Sequence, residues 1–417
     1  MRNRSVTARR WTGAAPAATP DSRHIAWILM PDGYRRLAAL LGALTALGPL
    51  GVDMYLPAFP AMSVDLGATP GAVQTTLASF LFGMAAGQIV VGPLSDRYGR
   101  RLPLVAGLVL FSLASLGCAV AASAEALAWL RLVQAVGGCA GMVVARAVVR
   151  DVADERGAVR MMAMLMLVMG AAPILAPMAG GALLAAFGWR AIFWVLAGYG
   201  VAALLLVLFA LPESLPPDRR RRDGPAAILA VYAQLLRDRR FLSCVLAGAI
   251  PMLGLFAYLV ASPHALMELH GLDPVEYGFA FGSNAVGLIL ASQVISRLVR
   301  RHAPPRLLVG ALVVCAAAGL MVPVAVATGL LWPLLAALFL YLSIMGAVLP
   351  LASAQAMAPL GRVAGSASAV IGTMQFGGGA VVGVVLGAIG GGSPWPMAVL
   401  LGLSGCGGLL AHLALRR

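Results

Sequence analysis

Gly92-Pro93-Leu94-Ser95-Asp96-Arg97-Tyr98-Gly99-Arg100-Arg101 is a charged decapeptide set between two long apolar stretches. Gly92 and Gly99 permit a tight turn and close helix contact. Asp96 stands among Arg97, Arg100 and Arg101, a grouping that can form an ion-pair lock. In a water-soluble chain this would be merely a basic turn. Its meaning depends on what surrounds it.

The surroundings are those of a membrane protein. Of 417 residues, 61% are hydrophobic and 11% charged, whereas about a quarter of a soluble domain is charged. Apolar stretches of about 20 residues, enough to cross about 30 Å of hydrocarbon, recur from Leu37 almost to the C-terminus. All 30 basic residues are Arg. Without Lys, a P-loop ATPase, a Schiff-base photoreceptor and a pyridoxal enzyme are excluded. Cys118, Cys139, Cys244, Cys315 and Cys406 are scattered singly and read as small core residues. The histidines (His24, His264, His270, His302, His412) lack metal-ligand spacing, so neither a metal nor an organic cofactor is expected. The net charge of +14 is read as topology rather than nucleic-acid binding.

Hydropathy, Gly/Pro punctuation and charge clusters predict helices at roughly 37–61, 71–93, 103–122, 127–149, 158–186, 189–211, 241–262, 275–297, 306–327, 331–352, 363–389 and 395–414. The expected fold is an all-α membrane protein with twelve transmembrane helices. Residues 1–36 read as a disordered cytoplasmic tail, too polar for a signal peptide, in which Met30 offers a second start for translation. Residues 37–211 form one six-helix bundle and 241–417 a second, divided by a cytoplasmic loop at 212–240 that carries Arg219 to Arg222.

Alternate turns expose Arg97, Arg100 and Arg101, then Arg150, Arg156 and Arg160, then the central loop, then Arg297, Arg300, Arg301 and Arg306, then Arg362. The opposite turns hold Arg190 and acids such as Asp65, Glu125, Glu268 and Asp273. This asymmetry predicts that both termini face the cytoplasm.

Ionisable groups at membrane depth cost about 2.5–3.5 kcal/mol on insertion scales and are functional candidates by default. Asp53 is the most deeply placed carboxylate, between Pro49 and Pro57 in the first helix. Poor hydration favours the neutral form of a carboxylate, so such a group can take a proton from one side and release it to the other. The bland alternative is a structural Asp paired permanently with an Arg. Arg131, near the start of the fourth helix, shares a face with Gln134 and Gly138. As a fixed cation it can tune a neighbouring carboxylate or bind an anionic substrate group. Arg146 reads as interfacial. Gln134, Tyr258, Asn284, Tyr341 and Gln375 are candidates for a substrate cavity, or else for interhelical hydrogen bonds.

Within this frame the opening decapeptide resembles motif A of the major facilitator superfamily. Leu130-Arg131 to Gly137-Gly138 resembles that superfamily's fourth-helix Arg motif, and Gly170-Ala171-Ala172-Pro173 with Ala176-Pro177 and Gly180-Gly181 resembles its antiporter motif. Asp53-Met54-Tyr55-Leu56-Pro57, Arg146 to Asp151, and Tyr277-Gly278 to Ser292 are similar to the bicyclomycin/chloramphenicol-resistance branch.

The resemblance implies two six-helix bundles that alternately expose a central site, and export of small drug-like molecules in exchange for protons across the inner membrane by a monomer. It also implies that Asp53 is the proton-linked carboxylate and Arg131 its energetic partner. Gly92, Asp96, Arg97, Gly99, Arg100 and Arg101 with Asp151 would form the cytoplasmic gate, Asp96 also reaching the start of the eleventh helix near Gly365. Gly170, Pro173, Pro177, Gly180 and Gly181 would form the antiporter motif.

Two departures narrow this. Thr45 stands where some cation-exporting relatives have a second carboxylate, which favours neutral or zwitterionic substrates, and the second half has only Ser296-Arg297 with Arg300-Arg301 in place of motif A. Export of an endogenous metabolite such as an amino acid is the alternative within transport. A non-transporting receptor would not need motif A, and an enzyme would need more reactive groups at depth than Asp53 and Arg131.

Overall fold

The structure is a computed structural model in which residues 31–152, 155–220, 225–358, 360, 364–389 and 393–415 are described. The tail up to Met30, Arg221, Arg222 and Arg362 lie outside these residues. The long helices are α1 Pro31–Asp53, α2 Pro70–Tyr98, α3 Arg101–Ala119, α4 Ala124–Val152, α5 Glu155–Phe187, α6 Arg190–Ala210, α7 Arg239–Ser262, α8 Pro274–Leu298, α9 Pro304–Thr328, α10 Leu331–Met357, α11 Ala364–Ile389 and α12 Trp395–Leu415. Among the described residues there is no strand, and eleven spans are long and apolar enough to cross a membrane. The apolar stretch Ala171–Phe187 belongs to α5.

Local chemistry sets the helix ends. Thr69 and Asp273 cap α2 and α8, each followed by a proline whose missing N–H costs nothing in the first turn. The Asp273 cap is completed by Glu276, whose side chain accepts from the Asp273 N–H at 3.0 Å. Gly99, at φ 92°, ends α2 in a conformation that a side chain would resist.

The first span is interrupted. Pro57 has no N–H to donate to the carbonyl of Asp53 four residues earlier, so α1 stops at Asp53. The chain resumes through a 3-10 turn, Leu56–Ala58, and a short helix, Phe59–Asp65. A carboxylate thus stands at a helix break inside a membrane span.

Helices α1–α6 and α7–α12 form two bundles, which meet along α2 with α11 and α5 with α8. A Cβ on Gly71 would run into the carbonyl of Gly387, and Thr373 Oγ1 donates to the Ala85 carbonyl at 3.4 Å. On the other seam Gly181 lies against the carbonyl of Pro274, and Gly278 against Pro177 and Met178. Small residues allow this approach, which matters in lipid, where dispersion contacts replace a hydrophobic driving force. Large apolar side chains such as Phe82, Trp129 and Leu403 point outward.

The segment at 212–240, read from the sequence as a loop, contains a helix, Pro225–Arg237. Its Val231, Tyr232 and Leu235 pack with Phe241, Val245, Ala356, Val370 and Ile371 of the second bundle. The helix is far too short to span a bilayer, which is why hydropathy alone passes over it.

Candidate functional site

Arg131 is fully buried in α4. Its Nη1 donates to Gln134 Oε1 at 2.6 Å and its Nη2 to the Gly51 carbonyl at 2.6 Å. The guanidinium lies 4.1 Å from the ring centroids of both Tyr55 and Phe80. Gln134 Nε2 in turn donates to Ser115 Oγ at 2.7 Å, tying α4 to α3. Arg131 forms no ion pair with Asp53 among the described residues; it reaches the segment before Asp53 through the Gly51 carbonyl. The cation is held by a carbonyl and two aromatic faces, which attract it through their quadrupoles. Gly51 lies two residues before Asp53 and just ahead of the α1 break. Through that carbonyl, Arg131 anchors the segment that carries the carboxylate.

Asp53 itself is 5% exposed. No hydrogen bond or ion pair to it is found among the described residues. It lies within electrostatic range of the Tyr258 and Tyr277 hydroxyls in the second bundle. There Asn284 Nδ2 donates to Tyr258 OH at 2.9 Å, and Ser262 Oγ shares a hydrogen bond with Tyr277 OH at 3.0 Å. Phe281 stacks on Tyr258 with centroids 5.5 Å apart. Asp53, Tyr258 and Asn284 therefore gather at the junction of the bundles. Ser262 and Tyr277 join them; the sequence had marked Tyr277 only as part of the eighth-helix resemblance and Ser262 not at all.

The other cavity candidates are dispersed. The Tyr341 hydroxyl donates to the Pro251 carbonyl and pairs with Ser404, both at 2.8 Å, so it binds α10 to α7 and α12 within one bundle. Gln134 is committed to Arg131 and Ser115. Gln375 is half-buried beside Gly248 of α7. Arg146 Nε donates to the Met142 carbonyl at 3.2 Å, one turn back on α4.

The antiporter motif supports the α1 break. A Cβ on Gly180 would overlap the Met54 carbonyl, so α5 can reach the chain immediately after Asp53 only because Gly180 has none. Pro173 and Pro177 lie inside α5, and Gly170 lies in the part of α5 where the backbone alone is described.

At the opposite end, Arg100 is clasped by two carboxylates. Its Nε donates to Asp151 Oδ2 at 2.8 Å, and its Nη1 to Asp96 Oδ1 at 2.5 Å and to Ser95 Oγ at 2.9 Å. Burial pushes its pKa down, and the bonds and charges of Asp151 and Asp96 more than reverse this, leaving it above the ordinary arginine value. Ser214 Oγ donates to Asp151 Oδ2 at 3.1 Å. Glu213 accepts from the backbone N–H of Arg100 at 2.8 Å and of Arg101 at 3.3 Å, so a carboxylate sits at the positive N-terminal end of α3.

Sequence reasoning missed Glu213 and Ser214. The available signal was an acid in Leu211-Pro212-Glu213-Ser214, directly after a span and ahead of a basic run. Every member of this cluster belongs to the first bundle or the residues just after it. Arg97 stays outside, exposed, its guanidinium 5.6 Å from the Tyr98 ring centroid. No bond joins Asp96 to the start of α11 among the described residues, and nothing is described of the side-chain position at Gly365. No cluster of His, Cys, Asp and Glu that could hold a metal occurs among the described residues.

The model of the Major Facilitator Superfamily matches residues 41–384. The chain is 35% identical over 392 residues to an uncharacterized MFS-type transporter, YdgK, of Bacillus subtilis, covering 93% of this chain and 97% of that protein. It is 31% identical over 366 residues to a bicyclomycin resistance protein homolog of Haemophilus influenzae, covering 87% and 91%. Among solved structures, the nucleoside transporter NupG aligns with a TM-score of 0.71 at 14% identity, covering 91% of this chain and 100% of that one, a likeness of fold alone. The two-bundle architecture and the match over most of the chain lead to one conclusion: this multi-pass membrane protein belongs to the Major Facilitator Superfamily and is a transporter rather than an enzyme.

Proposed function

We propose that the protein is a proton-coupled antiporter that exports small, neutral or zwitterionic drug-like molecules across the bacterial inner membrane by alternating access. The observation that carries this reading is Asp53: a buried carboxylate at a helix break, without a counter-ion among the described residues and within electrostatic range of the Tyr258 and Tyr277 hydroxyls of the other bundle. A group so placed gains and loses a proton as the bundles move, and its charge changes at the surface where they meet. The arginine-rich ends of the helices, including the Arg100 cluster, would face the cytoplasm.

The drug-like substrate class is supported by the relative named as a bicyclomycin resistance protein homolog. Thr45, whose hydroxyl donates to the Gly42 carbonyl at 2.8 Å, puts a hydroxyl rather than a second carboxylate about two turns before Asp53. Protonation of Asp53 from outside releases substrate outward, and deprotonation inside restores the loading state. One proton crossing about 100 mV supplies about 2.3 kcal/mol, enough for roughly a fifty-fold substrate gradient.

The test is proteoliposomes under an imposed inward pH gradient, with a pH-sensitive dye and neutral and zwitterionic antibiotics added in turn. Substrate-dependent proton movement that Asp53→Asn abolishes is the expected result. Uphill export retained by Asp53→Asn would assign coupling elsewhere.

A further inference from the structure

We propose that a groove between the ends of α1, α3 and α6 binds the headgroup of an anionic phospholipid, with Arg36 and Arg101 as its phosphate ligands. The groove has a volume of about 470 Å³ and opens beside α6, where Phe209 is 86% exposed. Its walls are Leu37, Leu40, Leu208 and Phe209, its charged groups are Arg36 and Arg101, and no carboxylate lines it among the described residues.

Two other arginines near helix ends are neutralised by acids. Arg100 is clasped by Asp96 and Asp151, and Arg190 pairs with Asp65. Arg36 is exposed and makes no hydrogen bond or ion pair among the described residues. Arg101 Nη2 donates to the Leu208 carbonyl at 2.5 Å, in the last turn of α6 where carbonyls lack helical partners. That bond aims the side chain into the groove and leaves the rest of its donor fork available. Glu213, next along the chain from the groove's edge, turns its carboxylate to the N–H groups of Arg100, Arg101 and Leu215.

The groove therefore offers two guanidinium forks and, among the described residues, no acid to receive a headgroup ammonium. That chemistry selects a phosphodiester with net negative charge. Its apolar walls, at the height of the last turn of a spanning helix, suit the acyl chains attached to that phosphate and have no use in holding a free anion. On the orientation proposed above, the groove opens to the cytoplasmic leaflet, but the binding itself does not depend on proton coupling.

The experiment is native mass spectrometry of the intact purified protein titrated with phosphatidylglycerol, with phosphatidylcholine and glycerol 3-phosphate run separately. Wild-type protein retains phosphatidylglycerol in preference to phosphatidylcholine, and glycerol 3-phosphate does not displace it. Arg36→Gln, which breaks no observed contact, weakens phosphatidylglycerol binding about five-fold, and Arg36→Gln with Arg101→Gln about twenty-five-fold. Thermal melting of both variants confirms that they are folded. Equal retention of the two lipids, displacement by glycerol 3-phosphate, or unchanged binding in the double variant would each overturn the proposal. So would an equal loss in Arg300→Gln with Arg301→Gln, which removes the same charge from the second bundle.

Discussion

Arg100→Gln, Asp151→Asn and the two together measure what holds the gate cluster. Arg100 meets Asp151 at 2.8 Å and Asp96 at 2.5 Å, and the three side chains are 6%, 16% and 33% exposed in that order. Two unit charges about 4 Å apart attract by about 4 kcal/mol at an effective dielectric near 20. Removing one member of a fully buried pair costs about 3–5 kcal/mol. Both carboxylates here keep some access to water, so roughly half of that, about 2 kcal/mol, is expected for each single variant. In the double variant neither group is left facing a lost partner, and the expected coupling is about 1.5 kcal/mol. The assay is denaturant unfolding in mixed micelles, followed by intrinsic fluorescence. Losses that simply add, within about 0.5 kcal/mol, would refute the claim that Arg100 and Asp151 act as one pair.

Two further outcomes follow from the α1 break. Gly180→Val drives a side chain into the Met54 carbonyl, with an expected loss of about 1–3 kcal/mol of stability or a displaced α1, read as a lower melting temperature together with lost transport. Arg131→Lys keeps the charge and loses the planar fork that reaches Gln134 and Gly51 at once; transport is expected to fall at least about ten-fold in folded protein, and full activity would show that charge alone suffices.

Much of the protein was legible in its sequence because the signals are local. Runs of about 20 apolar residues, alternating basic turns and the Gly92–Arg101 turn each state their meaning within a few dozen residues. The membrane fold and the family follow from them, as does the singling out of Asp53 and Arg131. The chemistry of Pro57, which ends α1 at Asp53, is equally local.

Partnerships were not legible, because they join residues far apart in the chain. Arg131 takes the carbonyl of Gly51, 80 residues away, rather than the Asp53 carboxylate. Any backbone carbonyl can accept a hydrogen bond, so no residue type marks the one that does. Glu213 reaches Arg100 across 113 residues, and Tyr341, a plausible cavity residue by type, is committed to Pro251 and Ser404 by the way α7, α10 and α12 pack. Composition and spacing alone determined that the chain crosses a membrane many times and carries a carboxylate at depth. Only the packing of the helices decided what surrounds that carboxylate, because burial and hydrogen bonding depend on which surfaces meet in three dimensions.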